Sequence, residues 1–340
     1  MRVAIDATPL TLSTGGLARY TRELSTALAS TFPGDHVHLV SDQPFAAPAN
    51  LEIGHGPRNA LERRWWLWGL ERELDRLQTD VFHGTNFEIP YLSARPTVLS
   101  LHDLSPWKDA AWRQPGRVRR RTPLLLRAAT MVLTDSQAVR REAIEYFRLP
   151  PQRVATAPLA ASSHFRPVVP APGPPYFLYV GTLEPRKNLE GLMEAWREVR
   201  RGAAVELVLA GRRRADFPEP AGEPGLRLLG EVPDESLPAL YSGCVAFVYP
   251  SHYEGFGLPV LEAMQCGACV IVSRDPSLEE VAGDAALRAG TPLELAAAMR
   301  AALTGAAAWR CQSLRRAAGF TWERTARLTR EVYDEARRRF

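Results

Sequence analysis

The chain predicts a doubly wound α/β protein of two domains, and three observations carry that prediction. Short β-rich runs alternate with amphipathic stretches from end to end. One proline-dense segment interrupts the pattern near the middle, and 340 residues exceed what one ordinary core holds. In the first half, Arg2–Asp6, His36–Ser41, Thr97–Leu101, Met131–Thr134 and Arg153–Ala157 read as strands. In the second, Tyr176–Val180, Val205–Ala210, Leu226–Leu229, Cys244–Tyr249, Ala268–Ser273 and Ala285–Arg288 do so. Between them Leu17–Ala29, Glu62–Leu77, Ser136–Phe147, Asn188–Val199 and Pro259–Cys266 have helical spacing. The segment from Arg166 to Pro175 holds too many prolines to enter a sheet or helix. The division is therefore an N-terminal domain over 1–165, a linker over 166–175 and a C-terminal domain over 176–317, with a tail over 318–340. Parallel sheets bind ligands at the carboxyl ends of their strands, so paired sheets are expected to face a cleft at their junction.

Composition narrows the class. Hydrophobic residues make up 46% and charged residues 24%, the balance of a soluble globular chain rather than a disordered or fibrous one. No apolar run reaches the roughly 18–20 residues of a spanning helix. The opening Met1-Arg2-Val3-Ala4-Ile5-Asp6 puts charge where a signal peptide would be apolar, and four cysteines make no disulfide scaffold, so a reducing cytoplasm is expected.

The net charge is +4, and its distribution is uneven. Up to Arg166 there are 21 basic against 16 acidic residues; beyond it the counts are 21 and 22. Much of the excess falls at Arg113, Arg117, Arg119, Arg120 and Arg121, and Arg63-Arg64 stand beside Trp65, Trp66 and Trp68. A basic, aromatic surface suits an anionic membrane face, a lipid diphosphate or nucleic acid; a solvated helix face with core tryptophans is the structural alternative.

Four constellations point to chemistry. The first runs from Tyr249 to Met264: a strand end, then Glu254-Gly255-Phe256-Gly257-Leu258, then a helix with Pro259 at its start and Glu262 one turn in. Glycines let a ligand approach the helix amides, an anion site, with a carboxylate on either side. A phosphate flanked by hydroxyls, as in a nucleotide sugar, has the matching form. The second is Gly181-Thr182-Leu183-Glu184-Pro185-Arg186-Lys187-Asn188, where two cations precede a helix whose dipole opposes them unless an anion is bound. Lys187 is one of only two lysines in the chain. The third is Thr14-Gly15-Gly16, which opens a helix after the first strand without a dinucleotide fingerprint. The fourth is His102-Asp103 at a strand end, with His83 a weaker counterpart. Cys266 and Cys269 have no second pair to complete a zinc site and read as packing, and no Asp-x-Asp or P-loop string occurs.

Together these residues resemble the retaining glycosyltransferases of family 4, whose GT-B architecture faces two Rossmann-like domains across a cleft. The resemblance spans nearly the whole chain. Beyond the four constellations it takes in Thr134-Asp135-Ser136, Ser277 through Ala285 and Thr321-Trp322-Glu323-Arg324, and it leans toward bacterial mannosyl- and rhamnosyltransferases of polysaccharide assembly. One departure is Pro158-Leu159-Ala160, where similar enzymes carry a glycine.

The resemblance implies a metal-free enzyme, with no cofactor, that moves a sugar from a nucleoside-diphosphate sugar such as GDP-mannose to a saccharide or lipid-linked saccharide. Arg186 and Lys187 would grip the diphosphate, with Gly181 and the backbone of Gly255, Phe256, Gly257 and Leu258 around it. Glu262 would bind ribose, Glu254 the donor sugar, and the backbone near Val232 the base. Gly15 and Gly16 would line the acceptor side, His102 would stand near the transferred sugar, and the tail from Thr321 would be a helix crossing back toward the N-terminal domain. Catalytic duties would fall to His102, Glu254, Arg186 and Lys187. The implied setting is the cytoplasm, with peripheral contact at an anionic membrane face and no nucleic-acid partner. Two rivals remain at this stage. A nicotinamide-dependent oxidoreductase would need a Gly-x-Gly-x-x-Gly string that neither half has, and a nucleic-acid-binding protein would rest on the Arg113–Arg121 cluster alone.

Overall fold

A computed structural model describes residues 1–11, 15–49, 51–109, 112, 116–218, 220 and 222–340 of the chain. Thr14 and Arg113 lie outside them. The chain forms two compact units: Met1–Trp107, Gln114–Leu159 and Thr321–Phe340 make the first, Lys108–Arg113 and Ala160–Phe320 the second.

The first unit is built on strands β1 (Arg2–Asp6), β2 (His36–Val40), β3 (Glu52–Ile53), β4 (Val81–Gly84), β5 (Thr97–Leu101), β6 (Met131–Thr134) and β7 (Val154–Thr156). They pair in parallel in the order β3-β2-β1-β4-β5-β6-β7. The run direction reverses between β1 and β4, which makes that pair the switch point. Helices α1 (Gly16–Thr31), α2 (Leu70–Arg76), α3 (Arg117–Ala128) and α4 (Gln137–Phe147) connect them. Ser136 starts α4 by accepting the Val139 amide at 3.1 Å.

Glu62–Leu77, read from spacing as one helix, is not one. A π-helical turn occupies Trp65–Gly69 and α2 starts only at Leu70. Gly69 lies so close to the Glu62 carbonyl that a Cβ would stand 2.0 Å from its oxygen, and this packing displaces a regular first turn. The short edge strand β3 has no counterpart in the sequence reading.

The second unit holds β8 (Tyr176–Val180), β9 (Glu206–Ala210), β10 (Leu226–Gly230), β11 (Ala246–Tyr249), β12 (Val270–Val272) and β13 (Leu287–Arg288), parallel in the order β10-β9-β8-β11-β12-β13. Its switch point lies between β8 and β11. Helices α5 (Leu189–Arg200), α6 (Leu237–Gly243), α7 (Leu258–Gln265), α8 (Pro276–Ala282) and α9 (Pro292–Ala317) cover it. Strands β8, β9, β11 and β12 carry fully buried Phe177, Leu178, Leu207, Phe247, Val248 and Ile271, so both faces of this sheet are covered. Each such side chain contributes about 1.5–3 kcal/mol of burial. Arg166–Pro175 has no regular structure and joins this unit through the Val168 amide, which donates to Ser242 at 3.1 Å.

The last helix, α10 (Trp322–Arg339), belongs to the first unit. It packs on α1 and on β4–β6 with Thr325, Ala326, Thr329, Val332, Tyr333 and Ala336 buried. The 3, 4 and 7 spacing of those residues is the apolar stripe of an amphipathic helix.

Candidate active site

The second unit concentrates charge at its switch point. The loop after β8 carries Arg186 and Lys187, and the loop after β11 carries Glu254; β8 and β11 are neighbours in the sheet. The two loops meet. Lys187 Nζ donates to Glu254 Oε1 at 2.5 Å and to the Tyr249 hydroxyl at 2.8 Å. Arg186 donates from Nη1 to Glu254 Oε2 at 3.0 Å and to the Tyr253 carbonyl at 2.6 Å, and from Nη2 to Glu184 at 2.8 Å. Lys187 is 5% and Glu254 7% exposed, so the pair stands almost out of water.

Burial by itself raises the Glu254 carboxyl, but Lys187 and Arg186 outweigh it and hold the group down to about 2. Burial also lowers Lys187, with Glu254 opposing. The sequence reading gave the two cations to a diphosphate and Glu254 to a sugar. The structure brings all three into one cluster in which the carboxylate is the cations' counter-ion.

Hydrogen bonds hold the scaffold around this cluster. The His252 amide donates to the Arg186 carbonyl at 2.9 Å, Ser273 Oγ to the Ser251 carbonyl at 2.6 Å, and the Glu254 amide to Asp275 Oδ2 at 3.2 Å. Asp275 also accepts the Ser277 and Leu278 amides at the start of α8. Burial pushes Asp275 up to about 6. The Glu254 loop is thus pinned from β8, β12 and α8 before any ligand arrives, the preorganisation that electrostatic stabilisation needs.

Gly181 ends β8 with φ +151° and donates to the Ala210 carbonyl at 2.9 Å. Gly211 follows β9 with φ +141°, where a Cβ would stand 2.0 Å from the Gly181 oxygen. Gly255, Phe256 and Gly257 are buried and lead into α7, where Leu258 is partly exposed. Glu262, one turn into α7, is 1% exposed and accepts from the Tyr241 hydroxyl at 3.1 Å. Val232 follows β10 at the sheet edge, two strands from β8.

Two charged residues escaped the sequence reading. Glu184 is 9% exposed and takes Arg186 on one oxygen and Arg214 on the other, the latter at 3.3 Å. The run Arg212-Arg213-Arg214 after β9 was the available signal, but its pairing with Glu184 depends on the fold.

The first unit arranges its switch point differently. Gly15, with φ +119°, and Gly16 start α1 just beyond β1. His102 follows β5. Its Nδ1 lies 2.7 Å from Asp135 Oδ2 and its Nε2 2.9 Å from the Thr85 carbonyl. Both partners are acceptors, so both ring nitrogens carry protons. Burial works against that charge, but Asp135 and Thr85 prevail and raise the ring's pKa. Burial also pushes Asp135 up while His102 draws it down; the charged ring is the direction that the two-acceptor geometry supports.

His83 sits inside a buried hydrogen-bond network. It is fully buried, within reach of Tyr333 Oη at 2.7 Å and Ser100 Oγ at 2.8 Å, and Ser100 meets the Tyr20 hydroxyl at 2.8 Å. Burial lowers it to about 3, which keeps it neutral as the centre of a network joining β4, β5, α1 and α10.

Known proteins share this plan. The family model described as glycosyltransferase family 4 matches residues 14–161, and that described as glycosyl transferases group 1 matches residues 162–316. O-antigen chain mannosyltransferase B of Escherichia coli is 40% identical over 230 residues, covering 61% of this chain and 60% of that protein. The serotype-specific mannosyltransferase WbdA of Escherichia coli is 31% identical over 234 residues, covering 60% of this chain and 29% of its own length. Among solved structures, sucrose-phosphate synthase from Thermosynechococcus elongatus superposes with a TM-score of 0.78 at 19% identity, over 98% of each chain. Anabaena HepE in complex with UDP and glucose gives 0.69 at 17% identity, over 97% of this chain and 98% of its own.

Proposed function

The chain belongs to glycosyltransferase family 4 and has the GT-B fold, and we propose that it transfers a sugar, mannose from GDP-mannose being the leading case, from a nucleoside-diphosphate donor to a saccharide or lipid-linked saccharide with retention at the anomeric carbon. The mannosyltransferases it resembles support the sugar. The desolvated Arg186–Lys187–Glu254 cluster carries the donor assignment.

Breaking the anomeric bond builds negative charge on the leaving diphosphate and positive charge on the sugar. Arg186 and Lys187 meet the first: a partly buried guanidinium fork and a buried point charge. Because these cations supply the neutralising charge, the reading needs no metal ion. An arriving diphosphate competes with Glu254 for Lys187 and Arg186. A carboxylate so released is free to accept hydrogen bonds from the donor sugar. Glu262 is assigned to the ribose, exchanging its Tyr241 partner for sugar hydroxyls, and the backbone near Val232 to the base. The acceptor oxygen attacks the face that the diphosphate leaves, and the departing phosphate takes its proton, so no protein nucleophile is required. The first unit is assigned the acceptor, with His102 as a cation after β5 and Gly15 and Gly16 at the start of α1. Work in the cytoplasm with peripheral contact at an anionic membrane face completes the reading.

Calorimetric titration with UDP, GDP and dTDP in EDTA tests it. Micromolar binding of one nucleotide, lost in Lys187→Ala, is expected. Binding that appears only with a divalent cation would overturn the metal-free reading, and unchanged affinity in the variant would remove the diphosphate role of Lys187.

A further inference from the structure

Asp6 closes β1 at the switch point of the first sheet, the edge at which sheets of this kind receive ligands. Its backbone is tied into that edge. The Thr85 hydroxyl, just after β4, donates to the Asp6 carbonyl at 2.7 Å, and the Thr85 carbonyl takes His102 at 2.9 Å. One row of hydrogen bonds therefore joins β1, β4 and the charged histidine after β5. The Asp6 side chain, by contrast, is half engaged. Its Oδ1 accepts the Thr8 amide at 3.0 Å and the Thr8 hydroxyl at 2.6 Å. Its Oδ2 is buried and has no hydrogen-bond partner among the described residues, and the whole residue is 1% exposed.

A desolvated carboxylate oxygen without a donor is costly, and a fold that needed only the Thr8 turn would obtain it from asparagine. Burial pushes the Asp6 carboxyl up to about 6, with Asp42 after β2 and Glu88 after β4 adding to the rise and Thr8 opposing it. The group is thus ionised at neutral pH and short of donors. The start of α1 leaves this edge clear: a Cβ on Gly15 or on Gly16 would meet nothing within 4 Å. Gly15 has φ +119°, but Gly16 has neither a positive φ nor a close neighbour that requires glycine.

We infer that Asp6 Oδ2 anchors a hydroxyl of the saccharide acceptor, received over the clear start of α1. A polyol supplies what this oxygen lacks, a neutral O–H donor that brings no charge of its own. A ligand carrying negative charge there would be repelled by Asp6, Asp42 and Glu88. The anchored hydroxyl is held and not deprotonated, so the proton of the attacking oxygen still passes to the departing phosphate. The inference rests on the assignment of the acceptor to the first unit and names the residue that reads it.

Ligand-observed NMR with methyl α-mannoside as the probe, with and without GDP, tests it on the full chain. The parent is expected to bind the glycoside. Asp6→Asn, which keeps an oxygen for Thr8, should bind it about 10–100-fold more weakly with unchanged GDP affinity. Parent affinity for the glycoside should also fall as the pH drops through about 6, while Asp6→Asn stays flat. His102, raised above its usual value, keeps its charge over that range. Parent-like glycoside affinity and pH profile in Asp6→Asn would overturn the anchor, and so would a parent that binds GDP but no glycoside. A lower denaturation midpoint with intact glycoside affinity would reduce Asp6 to a structural residue of the Thr8 turn. Absent GDP binding with the glycoside contrast preserved would strike the donor reading and still support the anchor.

Discussion

The carboxyl edges of the two sheets solve the same geometric problem with different chemistry. Each unit places its loops at a switch point, β1 beside β4 in one and β8 beside β11 in the other. In the second unit that edge carries net buried charge: two cations share one carboxylate, and Glu184 with Arg214 extends the array. In the first unit a charged His102 is fully engaged by Asp135 and Thr85, above a neutral network of His83, Ser100, Tyr20 and Tyr333. A site built to receive a diphosphate needs cations that can change partners. A site that must keep its shape needs groups whose partners are permanent. On the proposed function, the edge chemistry of the two units divides along that line.

Glu254→Gln tests the division with the largest expected effect. The amide cannot hold Lys187 and Arg186 as a carboxylate does, so both cations become more available to phosphate. Turnover should fall about 100–1000-fold, the usual cost of losing one preorganised electrostatic partner, while nucleoside diphosphate binding stays constant or tightens. Steady-state rates set beside calorimetric affinities decide it. Equal losses in both would leave Glu254 as a prop for the cations with no part in handling the sugar.

Gly211→Ala probes the scaffold of the charged edge. A Cβ 2.0 Å from the Gly181 oxygen, at a backbone angle that side chains rarely adopt, forces the β8 and β9 loops apart. We expect a loss of roughly 2 kcal/mol or more, read as a lower denaturation midpoint. Nucleotide affinity should weaken with it, since Gly181 leads directly to Arg186 and Lys187. A variant with the parent's midpoint and affinity would show that the two loops yield without strain.

Much of this was legible in the chain because it is local. Strand–helix alternation and the proline segment follow from periodicity and backbone chemistry, and the Arg186–Lys187 and Glu254 strings are contiguous. What was hidden depends on packing. Glu62–Leu77 has helical spacing throughout, and only the contact of Gly69 with the Glu62 carbonyl breaks it. The two-residue strand β3 is too short to leave a pattern. Helix α9 is rich in alanine on every side and gives little contrast between faces. That Glu254 is the cations' counter-ion and that Glu184 takes Arg214 as well as its near neighbour Arg186 are relations across 30 to 68 residues of chain, which no local string records.

The permanent pair of the first unit makes the smallest prediction and the most diagnostic one. His102 has its pKa raised above the ordinary 6.5 by Asp135 and Thr85. A group raised in the folded state adds stability that is complete below its unfolded pKa and drains away as the pH climbs through the folded value. Denaturation midpoints of the parent should therefore fall as the pH rises from about 6 through the raised value, and His102→Asn should flatten that slope while losing stability mainly on the acid side. Glu254, which ionises near 2, imposes no such slope there; Asp275 and Asp6, raised by burial to about 6, add a fall of the same sign, so the part of the slope that His102→Asn removes is the diagnostic quantity. A pH slope left unchanged in His102→Asn would assign the titration to other groups and remove the charged histidine from this edge.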